Sequence, residues 1–392
     1  MPQLTVERVE EYAAAHTQAT DPQPKHFRDN LAAVVECLNE GTEWTDAGLY
    51  AATHMMGQAL RNRIEVDRYV SEVPAVDEGA LVRPIFLTGL PRSGTTYFQY
   101  LFDQDPSLRM LRTWEGDRPV PPPATDPGSV ATRREASIEG ARQARKAMGG
   151  DAIDSMHLTD VDGPQECLAI LDQTFVNPGL LWTRSAGSYL TFLLEEADLA
   201  AAYEYHQRVL RLLQFGASPR RWALKWPCHL LALEAIRSVY PDASFVVTHR
   251  DPVQALASNC SLAHMLRSSA DPAADPHQTG RDMLELVRRH VDRLVEFDVS
   301  QSAQGRDLLV HVDYYRLVDD PVAVMTGVFD AIGIEWTETV DERIRSWRSE
   351  NPQGKRGVHR YTLEEYGLEA DAVADAFSSY TQRFDVPSEY DR

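Results

Sequence analysis

Lysine is scarce in this sequence of 392 residues, because only four of its 39 basic side chains are lysine and all the others are arginine. A base composition that favours arginine codons is the general explanation of this bias. A lysine that lies among other special residues nevertheless draws attention, and Lys225 is in that position.

Long apolar runs and paired cysteines are also missing. No segment approaches the roughly 20 apolar residues that a membrane span requires, and the N-terminal residues lack the basic and apolar stretches of a secretory signal. The cysteines are scattered and form no CxxC pair or disulfide scaffold (Cys37, Cys167, Cys228 and Cys260). We therefore expect a cytoplasmic protein with buried thiols and no membrane span.

Positive charge is in deficit, since 39 basic residues face 59 acidic residues and the formal net charge is −20. A chain this acidic is a poor partner for nucleic acid or for an anionic membrane surface. An anionic ligand must therefore be held by a local basic pocket that works against the overall field.

Hydrophobic patterns predict an α/β fold. Apolar residues at helical spacing indicate N-terminal helices within residues 1–78. Short apolar runs then predict strands that alternate with helices, which implies a parallel sheet with helices on both faces. The predicted strands are 84–90, 222–226, 244–249 and 307–313, and the predicted helices between and after them are 95–103, 229–239, 252–267, 279–297 and 321–332.

The chain is interpreted as a single domain over residues 1–392, although its length alone allows about two or three domains. The α/β core spans residues 84–335. A mainly helical insertion, residues 130–215, interrupts that core, and residues 336–392 form a polar, loop-rich closing segment.

The strongest motif is Gly89-Leu-Pro-Arg-Ser-Gly-Thr-Thr96, which lies between the first predicted strand and the next helix. Backbone N–H groups in such a loop, with the helix N-terminus, form a cradle for an anion. The spacing is that of a Walker A loop, except that Thr95 replaces the lysine. Arg92 can supply the positive charge instead. The alternative is a glycine-rich turn without a ligand.

A second element joins Arg250, at the end of the strand 244–249, to Ser258, eight residues later. Arg250 ends a strand and Ser258 lies two turns into the next helix, so both can reach one phosphate in the crevice outside the sheet. Alone, this spacing is weak and usually structural. In combination with the glycine-rich loop, the signal is strong.

Together the two motifs resemble those of sulfotransferases that use 3′-phosphoadenosine 5′-phosphosulfate (PAPS), and most closely those of the bacterial branch. The resemblance implies a three-layer, doubly wound, P-loop-like fold with N-terminal helices and a helical insertion over the active site. It also implies that the loop binds the 5′-phosphosulfate through Arg92, Ser93, Gly94, Thr95 and Thr96, and that Arg250 and Ser258 bind the 3′-phosphate.

A basic segment near the C-terminus resembles the family loop that closes over the 3′-phosphate and adenine. Lys355, Arg356 and Gly357 match the start of that loop in part, and the tryptophan that normally follows is absent. A surface basic cluster is the alternative interpretation.

The resemblance also suggests the catalytic groups. Lys225 matches the family's lysine–proline element and is predicted to stabilise the leaving phosphate oxygen together with Arg92; a strand-end lysine that reaches solvent is the alternative. Glu115 is the first candidate for the general base, because tyrosylprotein and carbohydrate sulfotransferases place a glutamate near this position. His229 is the second, because cytosolic members use a histidine. No divalent metal is required.

The helical insertion is predicted to cover the acceptor. Its apolar residues suggest a lipid, polyketide or phenol as the small-molecule acceptor, although such residues at helical spacing are more often core (Phe175, Leu180, Leu181, Trp182, Tyr189 and Phe192). The resemblance does not predict the oligomeric state. Two rival functions stay open: a P-loop kinase or nucleotidase that uses ATP and Mg²⁺, and a non-catalytic nucleotide-binding relative.

Overall fold

A parallel sheet forms the centre of the computed structural model, which describes residues 3–17, 23–147, 160–351 and 362–389. In these ranges the sheet has five strands in the order β2-β3-β1-β4-β5. All neighbouring pairs are parallel. The strands are β1 Ile85–Gly89, β2 Leu108–Arg109, β3 Arg221–Lys225, β4 Ser244–His249 and β5 Leu309–Asp313.

The strand order reverses beside β1. The chain passes from β1 to the edge strand β2, whereas it continues from β4 to the opposite edge strand β5. In doubly wound sheets, ligands bind in the crevice at the carboxyl ends of the strands where the order reverses. Gly89 ends β1 and aligns with Thr248 of β4, so the residues after these two positions border that crevice.

Helices cover both faces of the sheet, and the pleat of β1 shows why. Phe86 packs into one core, whereas Ile85 and Leu87 pack into the other, because successive side chains of a strand point to opposite faces. The helices are α1 Val6–His16, α2 Lys25–Asn39, α3 Asp46–Glu72, α4 Thr95–Phe102, α5 Thr113–Asp117, α6 Pro127–Ala147, α7 Leu168–Leu171, α8 Leu180–Thr183, α9 Gly187–Glu195, α10 Leu199–Gln214, α11 Leu233–Val239, α12 Pro252–Ala270, α13 Pro276–Ala303, α14 Tyr314–Asp319, α15 Pro321–Ile332, α16 Glu338–Glu350, α17 Ala370–Ala376 and α18 Ser378–Arg383.

The predicted fold class is confirmed, and the four predicted strands lie within two residues of their expected bounds. Three details differ. The edge strand β2 has two residues, too few to produce a period in the sequence. The helix expected at 229–239 starts as a 3₁₀ turn over Pro227–Ala232. The closing segment carries the helices α16, α17 and α18 instead of being mainly loop.

Among the described residues, no helix is both long enough and apolar enough to cross a bilayer.

Candidate active site

The glycine-rich loop between β1 and α4 is shaped by two glycines with positive φ. Gly89 has φ +151°, and a Cβ atom there would lie 2.2 Å from Thr248 Oγ1. Gly94 has φ +81°, and a Cβ atom there would lie 2.7 Å from the Tyr314 ring. Gly94 is also the N-cap of α4 and offers no side-chain cap to the first-turn amides. The loop therefore presents a helix N-terminus suited to an anion.

Arg92 connects the loop to the second motif. It has φ +72°, an unusual conformation for a residue with a side chain. Its Nε donates to Ser258 Oγ at 3.0 Å, and its carbonyl oxygen accepts from Arg250 Nη1 at 2.9 Å. The structure thus brings Arg92 of the first motif together with Arg250 and Ser258 of the second.

Two buried side chains anchor the loop from behind. The Ser93 hydroxyl pairs with Thr248 Oγ1 at 2.7 Å, so this side chain binds β4 and does not line the cavity described below. Asn259 Nδ2 donates to the Pro91 carbonyl oxygen at 2.9 Å. Ser93 therefore contributes to loop shape, and its backbone N–H donates to the Leu90 carbonyl oxygen at 3.0 Å.

A cavity of about 480 Å³ opens at the carboxyl ends of the strands. It is polar beside the loop and apolar beside α12 and the helical insertion. Its lining residues are Pro91, Arg92, Gly94, Thr95, Thr96, Glu166, Leu168, Gly179, Trp182, Lys225, Trp226, Pro227, Cys228, Arg250, Asn259, Leu262, Met265, Leu266 and Tyr314.

Lys225 ends β3 and is 1% exposed, yet its ammonium group reaches this cavity. Its Nζ donates to Thr96 Oγ1 at 3.1 Å and forms an ion pair with Glu166 Oε1. The Glu166 side chain is 17% exposed. A buried cation, a hydroxyl at the helix N-terminus and an accessible carboxylate therefore meet at one point.

Glu166 was not among the candidate residues predicted from the sequence. It lies in the loop after residue 160, where Cys167 N donates to the Lys225 carbonyl oxygen at 2.9 Å. This backbone hydrogen bond joins positions 167 and 225, which are 58 residues apart in sequence. It brings the Glu166 carboxylate to Lys225. Nothing in the surrounding sequence distinguishes Glu166 from the other acidic residues of the chain.

Glu115 lies elsewhere. It is 4% exposed and accepts from Arg109 Nη2 at 2.7 Å and from the Arg112 backbone N–H at 3.1 Å, which caps α5. It borders a separate pocket of about 290 Å³ that Arg220 also lines. The expectation that Glu115 faces the reacting centre is not supported, because both of its oxygens are bound in this arginine cluster outside the cavity.

His229 is a core residue in this fold. It is 0% exposed, its Nδ1 pairs with the Tyr203 hydroxyl at 2.6 Å, and its ring packs edge-on against Phe86 at 5.0 Å. Burial, followed by the neighbouring His206 and Lys225, lowers the pKa of His229 well below its ordinary value. The imidazole is therefore neutral and lies behind the cavity wall that Pro227 and Cys228 form.

The remaining predicted residues lie outside the described ranges, line the cavity or belong to the core. Lys355, Arg356 and Gly357 lie outside the described residues. Of the apolar residues in the insertion, Trp182 lines the cavity, whereas Phe175 and Tyr189 are core residues. No group of three or more His, Cys, Asp or Glu side chains within the described ranges has an arrangement that could hold a metal ion.

Comparisons with known proteins agree with this geometry. A family model described as the sulfotransferase family matches residues 84–338. The chain is similar to the crystal structure of sulfotransferase STF9 from Mycobacterium avium, with 31% identity, 98% of each chain covered and a TM-score of 0.88. It is also similar to sulfotransferase STF1 from Mycobacterium tuberculosis H37Rv, with 25% identity, 96% of this chain and 98% of that chain covered, and a TM-score of 0.81. No curated protein gives a significant match.

Proposed function

The chain belongs to the sulfotransferase family, and from this premise we propose that it transfers a sulfuryl group from PAPS to a hydroxyl or amine of a small, largely apolar acceptor. One observation carries the proposal. A single cavity joins the uncapped N-terminus of α4, the Arg92–Arg250 contact and the Lys225–Glu166 ion pair. These are an anion cradle, a second anion site and a cation beside a base.

The donor fits the polar half of the cavity. The loop from Arg92 to Thr96 would hold the 5′-phosphosulfate through backbone N–H groups and the N-terminus of α4. Arg250 and Ser258, connected through Arg92, would hold the 3′-phosphate.

Lys225 is proposed to stabilise the leaving group. In sulfuryl transfer the acceptor atom bonds to sulfur while the bond from sulfur to the bridging phosphate oxygen breaks, and that oxygen keeps the electron pair. An ammonium group fixed by Thr96 and Glu166 opposes the negative charge that develops there. Thr95 occupies the lysine position of a Walker A loop, so the neighbouring strand β3 supplies the cation instead.

Glu166 is proposed as the general base in place of Glu115 and His229. It is the carboxylate among the cavity-lining residues, and it is accessible enough to accept the acceptor's proton. In this assignment Glu166 takes the proton as the new bond to sulfur forms.

The acceptor is proposed to be apolar apart from its reacting group. Leu262, Met265 and Leu266 form one face of α12, and Trp182 lies opposite on α8. Asn259, the polar residue on this wall, already accepts from Trp182 Nε1 at 3.2 Å and donates to two carbonyl oxygens. A polyhydroxylated acceptor would lose its hydrogen bonds to water here without replacement.

Differential binding tests the donor assignment against the kinase alternative. At about 100 times its dissociation constant, a ligand adds roughly 2.7 kcal/mol of stability. We expect adenosine 3′,5′-bisphosphate to raise the melting temperature and ATP with Mg²⁺ to raise it little. Stabilisation by ATP with Mg²⁺ alone would refute PAPS as the donor.

Turnover tests the catalytic part of the proposal against a non-catalytic relative. Purified protein with PAPS and a phenol such as 2-naphthol should release the bisphosphate, and glucose in place of the phenol should not support release. Nucleotide binding without transfer to a panel of apolar alcohols, phenols and amines would identify a binding protein instead.

A further inference from the structure

The C-terminal segment reaches the edge of the site through one carboxylate. Glu389 Oε1 accepts from Arg250 Nε at 2.8 Å and from the Tyr315 hydroxyl at 2.8 Å. The Glu389 backbone N–H donates to Asp251 Oδ2 at 2.8 Å. The side chains of Arg250 and Glu389 are 16% and 26% exposed. The last described residue of the chain is therefore bound by three different groups.

Each of those groups has a fixed position of its own. Asp251 is the N-cap of α12 and accepts from Val253 N at 2.9 Å. Tyr315 lies in the first turn of α14, directly after β5. Burial, and then the hydrogen bond to Glu389, raise the pKa of Tyr315, so its hydroxyl keeps the proton that it donates. Glu389 is thus held between the ends of two neighbouring strands.

The guanidinium of Arg250 is held on several sides. Glu389 binds its Nε, the Arg92 carbonyl oxygen binds its Nη1, and the ring of Tyr314 lies 4.7 Å from its central carbon. A long side chain ordinarily loses conformational freedom when it binds an anion. Here the orientation is established before the ligand arrives, and Arg250 still borders the cavity.

We infer that Glu389 is a positioning residue, which orients the Arg250 guanidinium so that the site recognises the 3′-phosphate of the nucleotide. This inference rests on the proposed function, in which Arg250 binds that phosphate. Partners that orient metal-binding side chains change affinity by about tenfold or more, and we expect an effect of the same order for a partner that orients Arg250. The effect should be confined to ligands that carry a 3′-phosphate.

The experiment measures the dissociation constants of adenosine 3′,5′-bisphosphate and of AMP by calorimetry. Glu389→Ala should weaken bisphosphate binding about tenfold and leave AMP binding unchanged. Glu389→Gln keeps an oxygen acceptor for Arg250 and Tyr315, so it should recover most of the loss. Asp375→Ala changes an exposed acidic residue of the same segment and should change neither constant.

Tyr315→Phe removes one donor to Glu389 and keeps the carboxylate, so it tests the inference even if Glu389→Ala does not fold. It should weaken bisphosphate binding less than Glu389→Ala, again without an effect on AMP. Equal losses for both ligands, no change, or tighter bisphosphate binding in Glu389→Ala would overturn the inference. A wild-type protein that binds both ligands equally would overturn the proposed function with it.

Discussion

Glu115 and Glu166 each pair with a buried cation, and of these two pairs only the second faces the cavity. Glu115 pairs with Arg109 beside the edge strand β2, where the guanidinium stacks on Trp222 at 4.4 Å. Glu166 pairs with Lys225 at the end of β3. The side chain of Glu115 is 5% exposed and that of Glu166 is 17% exposed.

The difference between the pairs lies in what surrounds them. Arg109 also donates to the Leu213 carbonyl oxygen at 2.9 Å, and both carboxylate oxygens of Glu115 are bound, so this pair joins segments of the chain. The Lys225 ammonium contacts one hydroxyl and one accessible carboxylate. We propose that similar charges serve stability in one place and chemistry in the other. We expect substitutions to separate the two roles.

The largest effect is expected for Lys225→Met, which keeps an unbranched side chain one atom shorter and removes its charge. Loss of a preorganised charge at a developing oxyanion lowers turnover by about 10²- to 10³-fold, and we expect the upper end for a full ammonium. Single-turnover release of the bisphosphate from PAPS measures it. Bisphosphate binding should persist, and a loss of less than about tenfold would remove Lys225 from the leaving oxygen.

Glu115→Gln should have the next largest effect, on stability. Removing one partner of a buried ion pair leaves an uncompensated charge and costs about 3 kcal/mol. Urea denaturation measures this change in the free energy of unfolding, and turnover per folded molecule should stay within about twofold of wild type. Unchanged stability with a large loss of turnover would return Glu115 to the role of base.

The placement of these two glutamates shows how far sequence reasoning extends. The alternation of strands and helices, the glycine-rich loop and the isolated Lys225 are local patterns, so the sheet and the polar half of the cavity follow from the sequence. The partner of Lys225 does not follow. The ion pair joins residues 59 positions apart in sequence, and packing of the insertion against β3 decides it.

The burial of His229 has a similar explanation. The resemblance proposes His229 because cytosolic members of the family use a histidine as the base. The 3₁₀ turn over Pro227–Ala232 leaves Pro227 and Cys228 on the cavity wall and buries the imidazole beside Tyr203. Within this tight turn, a shift of one position determines whether a side chain faces the cavity or the core. Hydrophobic periodicity in the sequence does not predict that position.

Glu166→Gln should lower turnover about 100-fold, because the amide cannot accept the acceptor's proton. The dissociation constant of the bisphosphate should change little, since the Glu166 carboxylate pairs with the Lys225 ammonium group. Comparison of single-turnover rates with calorimetric affinities separates the two quantities. His229→Asn serves as the matched control. If Glu166→Gln leaves turnover unchanged and His229→Asn abolishes it, His229 is the general base instead of Glu166.

The smallest effect is expected for Thr96→Val, which removes the hydroxyl that Lys225 Nζ contacts at 3.1 Å and keeps the shape of the side chain. Loss of one such hydrogen bond is worth about 1 kcal/mol, so turnover should fall about fivefold.

Because the lysine donates to this hydroxyl, the hydroxyl proton can itself be donated to an anion in the loop. If the substitution weakens bisphosphate binding and leaves the rate of the bound complex unchanged, Thr96 acts as a phosphate ligand. A reduced rate with unchanged binding would instead make Thr96 part of the Lys225 pair, which distinguishes that pair further from the closed Arg109–Glu115 pair.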